Sequence, residues 1–329
     1  MKKVTSIFLC IVFFVLAACN KTNEDVPENA DHPTTSGNGI LNGTVYSPNG
    51  NVPLASITVE TTVNGVKKEA TSDKEGKFRL ELPAGEYDVK MYAGAGDRFS
   101  LQKRLKVEAG KATTVSAADA RLNYTGKIAF VAGDFDAIQT LVSEMGVQAT
   151  ALSHEDLADY NKLKQYDVLL LNCGSGFMDF EEVQVLDRFL KDGKTIYASD
   201  WELRTLSKQD WGFIPENLIS YNTEGEPGEI EGNVVFAPFK NALGKDKIAI
   251  EFDMPKYVQV TNYAVNDNRF KLLVSHPQKG PLALSIQWGP TRTSSKGVPY
   301  GGNIIYTTFH DALLSKDVKA VLQQMILQL

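Results

Sequence analysis

Apolar positions along this chain follow three rhythms. Residues 7–16 (IFLCIVFFVL) are one uninterrupted apolar run. Residues 39–122 alternate with period two in short stretches broken by glycine and proline. From residue 123, apolar runs of four or five alternate with stretches spaced three and four apart. Period two marks half-buried strands, and the wider spacing marks amphipathic helices. The pattern therefore predicts a leader, an all-β part and an α/β part.

In the β part, strands are expected over Ile40–Ser47, Ser56–Thr62 and Val66–Thr71, with Asn64-Gly65 as a two-residue hairpin turn. Asp73-Lys74-Glu75-Gly76 is a second turn, followed by Phe78, Leu80 and Leu82 at period two. Pro83-Ala84-Gly85 then turns the chain into Tyr87, Val89 and Met91. Strands at this spacing imply a β-sandwich. The segments Gly43-Thr44-Val45, Pro53–Val59, Thr71–Phe78 and Leu82–Val89 resemble the carboxypeptidase regulatory-like domain. The resemblance covers residues 39–122 and implies a transthyretin-like sandwich of about seven strands. It also implies a spacer or docking role, with Tyr87 burying its ring at the sandwich edge and hydrogen-bonding its hydroxyl.

In the second part, Lys127–Val131, Val147–Leu152, Tyr166–Asn172 and Lys194–Ala198 have the look of short buried strands. Helices are expected over Phe135–Met145, closed by Gly146, over a short stretch capped by Ser153, and over Phe180–Lys191. Residues 207–279 show no clear period, and Glu224–Glu229 suggests an exposed acidic loop. Leu282–Trp288 and Asn303–Phe309 are strands again, and Asp311–Leu329 is a final helix. Strand and helix in alternation predict a doubly wound parallel sheet with helices on both faces. Tyr166–Asn172, Gly193–Asp200 and Gly302–His310 resemble the class I glutamine amidotransferase-like superfamily. That resemblance covers residues 123–329 and implies a flavodoxin-like fold.

At the amino terminus, Lys2 and Lys3 precede an apolar run too short to span a bilayer, which is the pattern of a secretory signal. Leu16-Ala17-Ala18-Cys19 resembles the bacterial lipobox. The resemblance implies cleavage after residue 18 and acylation of Cys19, with two or three chains for stable anchoring in the lipid bilayer. Residues 19–38 are rich in Asn, Asp, Glu, Pro and Thr, and are expected to be a solvated tether that carries His32. Glu24-Asp25 is similar to the surface-export signals of Bacteroidetes lipoproteins. The expected location is the cell envelope, at the outer membrane, facing the periplasm or the surface.

Composition narrows the function. With 329 residues, 43% hydrophobic and 22% charged, the chain can bury cores in about two domains. Its net charge of −6, from 34 basic and 40 acidic residues without a basic block, gives no footprint for nucleic acid. Three cysteines make no disulfide framework.

In sheets of this kind ligands sit at the carboxyl ends of the strands. That places Asp134, Asp136, Asn172, Cys173, Ser199, Asp200, Trp201 and His310 at the cleft. The superfamily's nucleophile is a cysteine on a strained strand-to-helix elbow flanked by glycines. Here that position is Tyr197-Ala198-Ser199-Asp200-Trp201, with no cysteine and no flanking glycine. The bulky Asp200-Trp201 pair argues against a sharp elbow, and Ser199 or Asp200 is expected to cap the next helix. His310 stands where the family places its catalytic histidine, but the family's Glu two residues on is Ala312. Cys173 lies in Asn172-Cys173-Gly174-Ser175-Gly176, whose glycines suggest an anion nest. His154 and His276 have no ligand spacing, so no metal and no cofactor are expected. The expectation is a binding or interaction protein for a small ligand or an envelope protein. The rival is a peptidase- or esterase-type hydrolase using Ser199 or Cys173 with His310, and Asp200 is a further catalytic candidate.

Overall fold

A computed structural model describes residues 37–94, 98–293, 299–310 and 315–328. The leader, Cys19 and His32 lie outside the described residues, as does the start of the final helix at Asp311.

The β part holds eight strands among the described residues. They are β1 (Asn38–Thr44), β2 (Thr58–Val63), β3 (Val66–Thr71), β4 (Lys77–Pro83), β5 (Gly85–Tyr92), β6 (Phe99–Val107), β7 (Ala112–Thr114) and β8 (Asn123–Tyr124). They form two sheets, ordered β4-β1-β7 and β3-β2-β5-β6-β8. Phe78, Leu80 and Leu82 of β4 point into the core while their neighbours face solvent. Asn64 and Gly65 both take positive φ, 48° and 79°, as the β2–β3 hairpin requires. The Tyr87 hydroxyl donates to the Pro83 carbonyl at 2.9 Å.

The α/β part begins with β9 (Ile128–Val131), α1 (Gln139–Glu144), β10 (Ala149–Leu152), α2 (His154–Ala158) and α3 (Tyr160–Leu163). Then come β11 (Val168–Leu171), α4 (Phe180–Lys191), β12 (Thr195–Ser199) and α5 (Leu203–Leu206). Ser153 and Asp179 each close a capping box at the start of α2 and α4. Next are β13 (Ile219–Gly225), β14 (Gly228–Val234), α6 (Ala237–Leu243), β15 (Lys247–Phe252), β16 (Tyr257–Tyr263), β17 (Phe270–His276) and β18 (Gly280–Gln287). The two-residue strands β19 (Arg292–Thr293) and β20 (Pro299–Tyr300) pair with each other, and β21 (Asn303–Thr307) and α7 (Lys316–Gln328) close the chain.

The large sheet runs β10-β9-β11-β12-β21-β18-β17-β14-β15. Its first five strands are parallel. Numbered among themselves they stand in the order 2-1-3-4-5, which is the flavodoxin-like winding. The other four continue the sheet antiparallel from β21. Two expectations need correction here. The sheet is mixed rather than wholly parallel, and residues 207–279 are ordered as five strands and a helix. The acidic stretch is a tight connection: Glu224 and Gly225 end β13, and Gly228 and Glu229 open β14. Alternation such as Ile248, Ile250 and Phe252 inward in β15 is a true strand signal. The glycines and the charged outer face of that region obscure it.

Each face of the sheet buries its own core. On β11, Val168 and Leu170 join the core that also holds α1, α7 and the sandwich interior. Leu169 and Leu171 join the core beneath α2, α4 and α5. The sandwich is tied on by the Gln324 side chain to the Ala55 carbonyl at 3.1 Å, Asn241 to the Ser72 carbonyl at 3.0 Å, and Asn49 to the Glu144 carbonyl at 2.7 Å. The described residues form one compact unit. Among the described residues no helix is long and apolar enough to cross a membrane.

Candidate functional site

The carboxyl ends of β9, β11, β12 and β21 converge on one cleft. Gly133 lets the loop after β9 pass the loop after β11, since a Cβ there would sit 2.2 Å from the Cys173 carbonyl oxygen. Asn172 is consumed in joining these loops. Its Oδ1 accepts from the Ile138 amide at 3.1 Å, and its Nδ2 donates to Val131 O at 2.8 Å and Gln139 Oε1 at 3.0 Å. It is fully buried and serves the scaffold rather than a ligand. Asp134 is exposed on the rim.

Ser199 is buried and donates to Asp136 Oδ2 at 2.5 Å while accepting from the Cys173 amide at 3.0 Å. Both directions of its hydroxyl are used, and neither partner is His310. Asp200 takes φ 45°, the left-handed region. The sharp elbow is therefore present, contrary to expectation, and it carries an aspartate. Asp is one of the few side chains that tolerates this backbone. The expected capping role also fails. Ser199 makes no cap bond to the 3₁₀ turn Asp200–Glu202, and Asp200 Oδ1 instead accepts the Val258 amide of β16 at 2.7 Å.

Cys173, Asp200 and His310 come together although they are far apart in sequence. The Cys173 thiol donates to Asp200 Oδ2 at 3.7 Å, and His310 Nε2 lies 4.0 Å from that same oxygen. Asp253, in the turn between β15 and β16, brings its Oδ1 within 3.8 Å of His310 Nε2. Cys173 and Asp200 are wholly buried. Burial first, and then the neighbouring Asp200 charge, push the Cys173 thiol far up, so it is not a thiolate nucleophile. Burial also drives Asp200 up to about 7, against the Val258 and Cys173 hydrogen bonds that favour its charge.

The glycine loop after β11 is filled by the protein itself. Gly174 and Gly176 take positive φ, 82° and 103°. The Ser175 amide and hydroxyl between them both donate to Glu202 Oε1, at 3.2 and 2.9 Å. The expected nest thus holds the chain's own carboxylate. Burial raises Glu202 to about 7. His154 contacts the Ser175 carbonyl and lies 3.6 Å from Glu182, closing the loop from behind. His276 caps its own turn, accepting from the Gln278 and Lys279 amides.

In front of these buried groups opens a pocket of about 350 Å³, lined by Phe135, Phe177, Trp201, Glu202, Arg204 and Met254. Phe177 is 74% exposed. The Arg204 guanidinium stands 5.1 Å from the Phe177 ring and 5.6 Å from the Trp201 ring, and pairs with Asp210 at 2.6 Å. Of this lining, the sequence singled out Trp201. Glu202 and Arg204 follow it directly on the same turn, whereas Phe177 and Met254 carry no motif.

Residues 40–121 match the carboxypeptidase regulatory-like domain family. That is the sandwich. No curated protein matches the chain in sequence. Among solved structures, a ThuA-like protein from Bacteroides uniformis is similar at 11% identity, over 60% of this chain and 88% of that one, with a TM-score of 0.43. A glutamine amidotransferase from Thermotoga maritima is similar at 14% identity, over 60% and 80%, with a TM-score of 0.37. The glutaminase domain of Trypanosoma brucei CTP synthase is similar at 9% identity, over 62% and 92%, with a TM-score of 0.41. At these values the likenesses carry no functional argument. The α/β assignment rests on the strand order above.

Proposed function

We propose that this protein is a lipid-anchored envelope protein whose α/β part binds a ligand at the aromatic pocket and does not catalyse an amidotransferase-type reaction. The observation that carries the reading is the contrast within the cleft. The groups that would do chemistry are buried and engaged, while a pocket of ligand-binding size stands open beside them. Cys173 is held as a thiol, Ser199 is bonded to Asp136, and the elbow carries Asp200. The pocket's rings and Arg204 suit a ligand with a planar apolar group and an anionic edge.

An anilinonaphthalene sulfonate probe has that character. Expected is saturable binding that weakens about tenfold in Phe177→Ala without a change in unfolding midpoint, since a contact residue this exposed adds little to stability. Equal binding by both proteins would remove the pocket from the reading. Fluorophosphonate and iodoacetamide should leave Ser199 and Cys173 unlabelled in the folded protein. Glutaminase or esterase activity that disappears in His310→Ala would instead establish the hydrolase. The anchor is tested by palmitate incorporation, expected in the wild type and lost in Cys19→Ala.

A further inference from the structure

We infer that Cys173, Asp200 and His310 form a binding site for a zinc-class divalent metal at the carboxyl end of the sheet, with Asp253 beside His310 at its rim. This goes beyond the ligand-pocket reading and does not depend on it. Cys173 Sγ, a carboxylate oxygen of Asp200 and a ring nitrogen of His310 all lie within 4.8 Å of one another. The closest approaches are 3.7 Å from sulfur to Asp200 Oδ2, 4.0 Å from that oxygen to His310 Nε2, and 3.8 Å from Nε2 to Asp253 Oδ1. Tetrahedral zinc, with bonds of about 2.0 Å to N and O and about 2.3 Å to S, sets its donors roughly 3.3–3.6 Å apart. The sulfur–Asp200 and Asp200–His310 pairs stand within about 0.7 Å of that spacing, and sulfur and the His310 nitrogen are within 4.8 Å of each other.

The direction of approach separates a metal site from a catalytic relay. In a relay the acid and the nucleophile address opposite nitrogens of the imidazole. Here both carboxylates face the same Nε2. A protonated His310 between two aspartates would account for those three groups, but not for the thiol aimed at the same Asp200 oxygen. A metal uses the thiol, Asp200 and His310 together, while Asp253 faces the same imidazole nitrogen from the rim. The donor set of one thiolate, one imidazole and one carboxylate suits zinc, and cobalt as its spectroscopic substitute. On binding, the Cys173 thiol gives its proton to solvent and the metal takes its place.

The surroundings fit this role. The Val258 amide fixes Asp200 through Oδ1 at 2.7 Å and leaves Oδ2 facing Cys173 and His310. The Asp253 side chain is 34% exposed and gives the site an opening to solvent. One residue before Val258, the Tyr257 hydroxyl is buried with no hydrogen-bond partner among the described residues.

Cobalt(II) titrated into the full-length protein in detergent tests the inference. Expected is about one equivalent bound, with a thiolate-to-cobalt charge-transfer band and the visible bands of a tetrahedral centre, both bleached by zinc. Cys173→Ser should abolish the charge-transfer band, and His310→Ala should abolish the tetrahedral spectrum. Asp253→Asn lies at the exposed rim and should weaken binding about tenfold while leaving the unfolding midpoint of the metal-free protein unchanged. A wild type without the charge-transfer band would overturn the site. So would a band that persists in Cys173→Ser, because Cys173 would then not be its source.

Discussion

Asp167 and Asp200 stand at opposite ends of neighbouring parallel strands, one just before β11 and the other just after β12. At the amino end, Asp167 Oδ1 meets Lys194 Nζ at 3.0 Å and Oδ2 accepts the Lys127 amide at 3.1 Å. At the carboxyl end, Asp200 is entirely buried, and His310 at 4.0 Å is the basic group within ion-pair distance among the described residues. Burial works against the charge on both. At Asp167 the Lys194 and Lys127 hydrogen bonds outweigh it, and the carboxyl is held below its ordinary range. At Asp200 burial wins, and the carboxyl rises to about 7. A carboxylate paired with lysine at the sheet's closed end is explained by folding. At Asp200 folding explains only half of the carboxylate: Oδ1 holds the Val258 amide, while Oδ2 faces a thiol and an imidazole with no lysine or arginine beside it among the described residues. The contrast supports the proposal that places the site at the carboxyl end.

The largest expected effect does not distinguish the ends. Leu170 is fully buried in the middle of β11, between Asp167 and Cys173. Leu170→Ala should cost about 2–5 kcal/mol in urea unfolding. It should also lower a single transition, because the sandwich and this face of the sheet share one core. Two separate transitions would show that the sandwich and the α/β part do not fold together.

The next effect separates shape from charge at Asp200. Asp200→Leu leaves the Val258 amide without its acceptor and forces a branched side chain into φ 45°. A loss of roughly 2–4 kcal/mol is expected, measured with chelator present. Asp200→Asn keeps an acceptor and a residue that tolerates the left-handed region, so its loss should stay under about 1 kcal/mol. If Asn cost as much as Leu, the charge would itself be stabilising, and the contrast with Asp167 would collapse.

Much of this was open to sequence reasoning where the signal was local. The cap at Ser153, the turn at Asn64-Gly65 and helix Phe180–Lys191 depend on neighbours a few residues apart. The positions at the strand ends followed from topology, which is why Cys173, Asp200 and His310 were singled out. Their meeting was not legible, because residues separated by 27 and 110 positions share no local pattern. Asp253 was hidden in a region whose strands pair antiparallel and distantly, β14 with β17 and β13 with β16. The elbow was misjudged because Asp200 gains an acceptor role toward Val258, 58 residues away, which holds its backbone in place.

The smallest effect tests the other arm of the comparison. Asp167 has a folded pKa below its unfolded value, so its contribution is fully present above the unfolded value, about 3.9, and is lost as pH falls through the folded one. Its side chain is 28% exposed and Lys194 is 11% exposed, which makes this a partly screened pair. Asp167→Asn should therefore lose about 1 kcal/mol or less at pH 7. The difference from wild type should shrink toward zero as the pH is lowered past the carboxylate range. Added salt should reduce it at pH 7 by only part, because Lys194 is mostly buried. A difference that stays the same at neutral and acid pH would mean that the residue acts through its hydrogen bond to the Lys127 amide, which an asparagine oxygen reproduces imperfectly. Charge would then not account for the stability contributed at the amino end, and the lack of a lysine partner at Asp200 among the described residues would no longer set it apart.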